Sequence, residues 1–241
     1  MKTPIGVLYA PGTNCHEETI DALDSVGGSA KLAIFKALLS GSDKLTNYSA
    51  LVLPGGFSWG DHIGAGRIAA IVLVSCLRDQ LQNVIGRIPI LGICNGFQIL
   101  VETGLLPDGK IGEREIALVQ NTSSVFESRW VYLLFNNNQC IFTEGLDGMV
   151  LRMPVAHREG RLNNPNNIPI KPVCYYVDRQ GQPTMDYPQN PNGSVDAIAG
   201  ICDKTGLIFG LMPHPERAVS DILGSTDGLA IFRNLVRYIN S

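Results

Sequence analysis

Hydrophobic and polar residues alternate along the first hundred positions in a pattern of short apolar runs separated by amphipathic stretches. The apolar runs predict strands at 5–9, 30–35, 50–53 and 88–93. The amphipathic stretches predict a helix over 14–26, with Asn14 as its N-cap, and a long helix over 61–81, with Asp61 as its N-cap. Strands that alternate with helices in this way are typical of a three-layer α/β fold, in which a mostly parallel sheet has helices on both faces.

The second half of the chain has a different pattern, in which strands follow one another with few helices. Strands are predicted at 115–119, 130–135, 149–155, 173–177, 195–202 and 207–212. They indicate a smaller antiparallel region, and an amphipathic helix over 226–240 ends the pattern. The segment 163–194 is rich in Asn and Pro, so we expect it to be largely irregular and to face a partner.

Composition and charge exclude several functional classes. The chain has 241 residues, 45% of them hydrophobic and 17% charged, and a net charge of −3, so it lacks the basic face that nucleic-acid binding requires. The longest apolar run, 68–77, is too short to span a bilayer, and the N-terminus has no signal-peptide pattern. We therefore expect a cytoplasmic protein that binds neither nucleic acid nor membranes.

Six cysteines are scattered through the chain without a Cys-x-x-Cys pair or a zinc-like Cys/His spacing. This distribution fits a reduced protein without a metal site. Five of the six are expected to be structural, Cys76 and Cys202 especially, because both lie in apolar runs.

The sixth, Cys94, lies at a sharp strand-to-helix turn between Gly92 and Gly96. This arrangement is a nucleophile elbow with cysteine in place of serine, and the following helix N-terminus stabilises a thiolate, the reactive form. The alternative is that Cys94 is a small core residue, as most free cysteines are.

Two further motifs follow predicted strands and supply the missing parts of a thiol active site. Gly55 and Gly56 follow the strand 50–53 and can direct backbone N–H groups into a cleft, although paired glycines also form plain turns. His214 follows the strand 207–212 between two prolines, with Glu216 two residues further on. A nucleophile, a base and an orienting carboxylate are then Cys94, His214 and Glu216. Taken alone, His214 could equally be a polar residue at a strand end.

These motifs resemble those of class I, triad-type glutamine amidotransferases. The class-level resemblance rests on 92–98, 54–58 and 214–216. Further blocks resemble the glutaminase subunits of phosphoribosylformylglycinamidine synthase, and they are 11–15, 60–66, 121–129, 154–161 and 190–194. The resemblance covers nearly the whole chain, which implies a single glutamine amidotransferase domain over 1–241 with a flavodoxin-like sheet.

The resemblance implies a role for individual residues. Cys94 would attack the carboxamide of glutamine, and His214, steadied by Glu216, would protonate departing ammonia and then activate water. The backbone N–H groups of Gly56 and Asn95 would form the oxyanion hole. Substrate-binding roles would fall to Gly55, Gln98, Asn121 and Phe126.

The resemblance also implies partners. Ammonia would pass to a large ATP-dependent synthetase, which would use ATP and Mg²⁺, while this subunit would bind no cofactor; a small third subunit would join the complex. His157, Glu159 and Arg161 would lie at the partner contact or ammonia gate. Arg158 departs from the small residue expected between His157 and Glu159. Two alternatives remain: a glutaminase serving another synthetase, or a non-catalytic subunit of such a complex.

Overall fold

A computed structural model describes residues 3–136 and 140–241. The strands are β1 (Ile5–Tyr9), β2 (Ala30–Ile34), β3 (Ala50–Leu53), β4 (Ile90–Ile93), β5 (Ala117–Val119), β6 (Glu127–Phe135), β7 (Val150–His157), β8 (Arg161–Asn163), β9 (Lys171–Val177), β10 (Ile198–Cys202) and β11 (Ile208–Leu211). The α-helices are α1 (His16–Ser25), α2 (Phe35–Ser40), α3 (Arg67–Cys76), α4 (Arg78–Gln82), α5 (Asn95–Glu102) and α6 (Leu229–Ile239).

Within the described ranges, nine strands form one sheet in the order β2-β1-β3-β4-β11-β10-β9-β6-β7. The first five in this order are parallel, and the last four join them through antiparallel pairings. The antiparallel region is therefore continuous with the parallel sheet, while β5 and β8 form a separate two-stranded ribbon. The β1–β2 and β3–β4 crossovers run in opposite directions along the sheet, so right-handed connections place α1 and α3 on opposite faces. The predicted three-layer α/β fold is confirmed.

Strand composition follows how each strand is covered. β3 and β4 are buried along their whole length and consist of apolar residues and one glycine, as expected for strands covered on both faces. In β7, buried and less buried residues alternate, which is the pattern of a strand with one face on the core. Because β3 and β4 are covered on both faces, their sequences are continuous apolar runs.

The predicted starts of the first two helices are wrong. Helix α1 starts at His16 with Cys15 as its N-cap residue, and Asn14 accepts a hydrogen bond from the Cys15 thiol instead of capping the helix. The long helix predicted over 61–81 is divided into α3 and α4, and residues 58–61 form a 3₁₀ turn. Asp61 accepts from the N–H of Gly66, because Gly64 and Gly66 have positive φ and keep the chain irregular up to Arg67.

Three other differences concern loops and cysteines. Residues 195–197 form a 3₁₀ turn, so the strand predicted from 195 begins at Ile198. Within the Asn- and Pro-rich segment, Asn190, Asn192 and Ser194 are buried and bond to one another, so this part faces the core. Cys76, expected in the core, is exposed, since it ends α3 on the solvent side. No helix in the described ranges has the length and apolar character needed to cross a bilayer.

Candidate active site

The end of β7 and the loop after it contribute to the candidate site, and its other parts are the loops that follow β1, β3, β4 and β11. These four strands are neighbours in the parallel part of the sheet, so their carboxyl ends meet at one edge. Ligands of open α/β sheets bind at this edge. The edge brings together residues that are more than a hundred positions apart in the sequence.

Cys94 occupies the strained turn that the sequence predicts. Its φ of 50° and ψ of −103° place it outside the usual regions, and its N–H donates to the Leu211 carbonyl at 2.8 Å. Helix α5 begins at the next residue. A Cβ on Gly96 would lie 1.8 Å from the Leu53 carbonyl oxygen, so only glycine allows α5 to pack this closely on β3. The backbone around Cys94 therefore has the geometry of the predicted nucleophile elbow.

His214 and Glu216 form the second half of the candidate triad. The imidazole Nδ1 lies 2.6 Å from Glu216 Oε1, and both side chains are buried. The backbone of His214 is fixed because its N–H donates to the Pro154 carbonyl at 2.8 Å. Burial alone would lower the pKa of His214, but the Glu216 carboxylate, and after it the Cys94 sulfur, raise that pKa well above its ordinary value. Cys94, His214 and Glu216 are therefore brought together.

The two predicted oxyanion donors flank the nucleophile. Gly56, with a φ of 139°, lines the same cavity as Cys94. Asn95 is the first residue of α5, where backbone N–H groups have no acceptor within the helix. The Asn95 side chain also accepts from the N–H (3.2 Å) and hydroxyl (2.7 Å) of Ser58, and this ties the loop after β3 to the elbow.

A cavity of about 140 Å³ opens beside the thiol. Five residues that were given site roles from the sequence line it: Gly56, Cys94, Gln98, His157 and Glu159. Five others also line it: Phe57, Asp61, Ala65, Ala156 and Arg158. Gln98, expected to bind substrate, already donates to the Glu159 carbonyl at 2.5 Å and accepts from Asn95 at 2.9 Å.

Three residues expected to bind substrate do not line this cavity. Gly55 packs against the His214 ring, since a Cβ there would lie 2.7 Å from His214 Cε1. The amide of Asn121 is occupied by backbone groups, which include the His157 carbonyl (2.9 Å) and the Gly160 N–H (3.0 Å). Phe126 is 48% exposed. Asn121 thus braces the loop that follows β7.

The residues assigned to the partner contact or gate separate into different environments. His157 is buried in the cavity wall, where burial and then the charge of His214 lower its pKa to about 3. It is consequently neutral and does not lie on the outer surface. Glu159 lines the cavity, whereas Arg161 lies in β8, paired with Val119.

Sequence reasoning missed Cys15, which contacts the candidate triad. Its sulfur accepts from Arg217 Nη2 at 3.1 Å, and ligand-type atoms of Cys15, His214 and Glu216 lie within 4.8 Å of one another. Such a group resembles a metal site, but Arg217 already donates to the Cys15 sulfur, and His214 is already hydrogen-bonded to the Glu216 carboxylate. The signal available in the sequence was the position of Cys15 after β1, at the same sheet edge as the other loops.

Comparison with known proteins agrees with this geometry. The profile of the CobB/CobQ-like glutamine amidotransferase domain matches residues 2–239. The chain is similar to the phosphoribosylformylglycinamidine synthase subunit PurQ of Dehalococcoides mccartyi (41% identity, 96% of each chain) and of Pyrococcus furiosus (42%, 98% of each). It also resembles a chain in the structure of PurLQS from Thermotoga maritima, with a TM-score of 0.80, 36% identity and 99% of each chain covered.

An elbow cysteine, a buried histidine and a glutamate on an α/β sheet form a candidate thiol triad, and the matched profile is that of a glutamine amidotransferase domain. The chain belongs to this family, and within it to the PurQ-type subunits of phosphoribosylformylglycinamidine synthase. The resemblance found in the sequence is confirmed.

Proposed function

We propose that this chain is the glutaminase subunit of phosphoribosylformylglycinamidine synthase, which hydrolyses glutamine to glutamate and ammonia for de novo purine synthesis. The observation that carries the proposal is the pairing of a buried His214–Glu216 dyad with Cys94 at the elbow. Nearly full-length similarity to proteins named as subunits of this synthase supports the choice of pathway.

The proposed reaction has two stages. The Cys94 thiolate attacks the side-chain carboxamide carbon of glutamine, and the N–H groups of Gly56 and Asn95 bind the resulting oxyanion. The raised pKa of His214 favours the imidazolium, which protonates the amide nitrogen as the C–N bond breaks and ammonia leaves. Neutral His214 then removes a proton from water, which attacks the γ-glutamyl thioester and releases glutamate and the thiolate.

The ammonia is proposed to pass to an ATP-dependent synthetase that uses Mg²⁺ and converts formylglycinamide ribonucleotide to its amidine. The similar Thermotoga maritima chain belongs to a structure of PurLQS, which supports a large synthetase and a third, small partner. No cofactor is required of this chain in the proposed steps. Its six free cysteines are in keeping with a reducing cytoplasm.

The function is tested by substituting the nucleophile in the complex reconstituted with the synthetase. Cys94→Ser should lower glutamine-dependent amidine formation by at least about a thousandfold, because a serine hydroxyl is far less ionised than a thiol. Amidine formation from added ammonium salts should remain, since that reaction bypasses the thiol. Cys76→Ser, at an exposed cysteine, is the matched control and should behave as wild type.

Unaltered glutamine hydrolysis by Cys94→Ser would refute the triad.

A separate comparison tests the two alternatives, a different synthetase partner and a non-catalytic subunit. If the wild-type chain copurifies with a different synthetase and supports amination of another acceptor, the pathway is wrong while the chemistry stands. If the assembled complex releases no ammonia from glutamine, the chain is a non-catalytic subunit.

A further inference from the structure

Two of the buried cysteines lie next to each other, away from the catalytic cysteine. Cys202 is the last residue of β10, and Cys140 directly precedes the 3₁₀ turn Ile141–Thr143. The Cys140 thiol hydrogen-bonds to the Cys202 sulfur, and both residues are free cysteines. Because β10 is antiparallel to β11, its last residue lies at the sheet edge opposite the candidate active site. The pair therefore belongs neither to the triad nor to the cavity beside it.

Backbone bonds hold the two cysteines in this position. The Ile141 N–H donates to the Gly206 carbonyl at 3.1 Å, so the chain after Cys140 is attached to the turn between β10 and β11. On the other side, Cys202 is paired with Lys171 of β9. A covalent bond between the two sulfurs would therefore join segments that already lie together.

The surroundings make the two sulfurs chemically unequal. The hydrogen bond from Cys140 lowers the pKa of Cys202 against the effect of burial, and the positive charge of Lys171 lowers that pKa further. Burial, and then the hydrogen bond to Cys202, raises the pKa of Cys140 well above its ordinary value. A thiolate beside a protonated thiol is the arrangement of an attacking cysteine and its resolving partner.

We propose that Cys140 and Cys202 form a reversible disulfide when the chain meets a hydroperoxide, and that this disulfide staples the fold. The staple joins the segment before β7 to the β10–β11 hairpin, which are linked at this point by the hydrogen bond between Ile141 and Gly206. The proposal does not depend on the proposed glutaminase function, because it uses neither the triad nor its cavity.

The oxidation takes place in two balanced steps. The Cys202 thiolate attacks one oxygen of hydrogen peroxide, the O–O bond breaks, and the released hydroxide takes a proton from solvent to become water. Cys202 is then a sulfenic acid. The Cys140 sulfur loses its proton and attacks the Cys202 sulfur, the S–O bond breaks, and the hydroxide leaves with that proton as a second water. The two thiols lose two electrons, and a dithiol reductant returns them.

The turn after β10 is the route by which a small oxidant reaches the pair. Cys140 and Cys202 are themselves buried, but Lys204 and Thr205, just beyond β10, are exposed. The side chain of Thr205 is held by Asp203 within the same turn. Exposed segments with local bonds open more readily than strands in the middle of a sheet. A movement of this turn is enough to admit a molecule as small as hydrogen peroxide.

The first test maps the cysteines of the unsubstituted full-length chain after treatment with hydrogen peroxide. Free thiols are blocked, and the chain is digested without reductant. The peptides that carry Cys140 and Cys202 should be joined, with a mass two hydrogens below their sum, and dithiothreitol should separate them. The Tm of the oxidised chain should rise by about 5 °C or more and fall again on reduction, because the bond closes a long loop of the unfolded chain.

Substitutions separate the roles of the two sulfurs. In Cys140→Ser the sulfenic acid on Cys202 has no resolving thiol, so a cyclic 1,3-diketone should capture it and Tm should not rise. Cys202→Ser should form neither the adduct nor the cross-link. Cys76→Ser, at an exposed cysteine, is the matched control and should keep both the cross-link and the rise in Tm.

The proposal is overturned if Cys202 remains unmodified after peroxide has oxidised the exposed Cys76. Sulfinic acid on Cys202 without a cross-link, a bond to another cysteine, or a cross-link that leaves Tm unchanged would also overturn it. If a serine variant does not fold, the mapping decides, since it needs no substitution. None of these outcomes bears on glutamine hydrolysis, which Cys94→Ser tests separately.

Discussion

Replacing Glu216 with glutamine is the most direct probe of the dyad. The substitution keeps the size of the side chain and an oxygen acceptor, but it removes the charge that lies 2.6 Å from His214 Nδ1. Both groups are buried, so solvent does not screen the change. Glutamine can also present its NH₂ group to Nδ1, which favours the tautomer that cannot accept the thiol proton.

The structure sets the expected magnitude. Loss of a buried hydrogen bond to a charged partner, together with the tautomer change, should cost about 2–4 kcal/mol of transition-state stabilisation. That range corresponds to a fall in kcat of about 30- to 1,000-fold. KM for glutamine should change little, because Glu216 does not line the cavity.

The assay is ammonia release from glutamine by the reconstituted complex as a function of pH. Removing the carboxylate should lower the pKa of His214, since burial then acts unopposed by Glu216. The imidazolium would be lost at lower pH, so the alkaline limb of the kcat profile should move toward acid. Glu144→Gln, in an exposed ion pair with Arg237, controls for loss of a carboxylate. Wild-type kcat and an unmoved pH profile would refute the assigned role of Glu216.

Three further predictions concern the surroundings of the triad. Gly96→Ala should lower the free energy of unfolding by about 3 kcal/mol or more in urea titrations, because the added Cβ would lie 1.8 Å from the Leu53 carbonyl oxygen. In the control Gly109→Ala, the nearest atom to the added Cβ is 3.9 Å away, and the free energy of unfolding should fall by only about 1 kcal/mol. Cys15→Ala should lower kcat about two- to tenfold and shift the pH profile of kcat, because the contact between Arg217 and the Cys15 sulfur is lost. Cys15→Ser should restore most of the rate. Equal rates for wild type and Cys15→Ala would contradict this prediction. His157 has a pKa of about 3 in the folded state, against about 6.5 in the unfolded state. Between these two pH values the unfolded chain binds more protons, so the free energy of unfolding decreases as the pH is lowered, by about 1.4 kcal/mol per pH unit. His157→Gln should remove this part of the acid sensitivity, as measured by urea unfolding at about pH 7 and about pH 4.5.

The sequence was sufficient for the parts of the site that local pattern determines. The elbow at Cys94 is encoded within five residues, because the glycine at each end is needed for close packing. The His214–Glu216 dyad is likewise local, since only Pro215 separates the pair. Alternation of apolar runs was enough to predict the layered sheet.

Features that depend on contacts between distant loops were not predictable in this way. The starts of α1 and α3 were misplaced because the polar groups of Asn14 and Asp61 bond elsewhere. Cys15 was expected to be only structural, and its contact with His214 follows from the folded arrangement of the loops after β1, β3 and β11. Asn121 has the chemistry of a substrate ligand, yet its amide already bonds to three backbone groups.

The position of β11 has a consequence for biosynthesis. This strand is the last along the chain, yet it lies between β4 and β10 in the interior of the sheet. A nascent polypeptide that has emerged only as far as β10 lacks both this interior strand and the His214 imidazole of the candidate triad. If Cys94 and His214 act together as proposed, a partly translated chain cannot hydrolyse glutamine, because the imidazole is added only after β11 has been made.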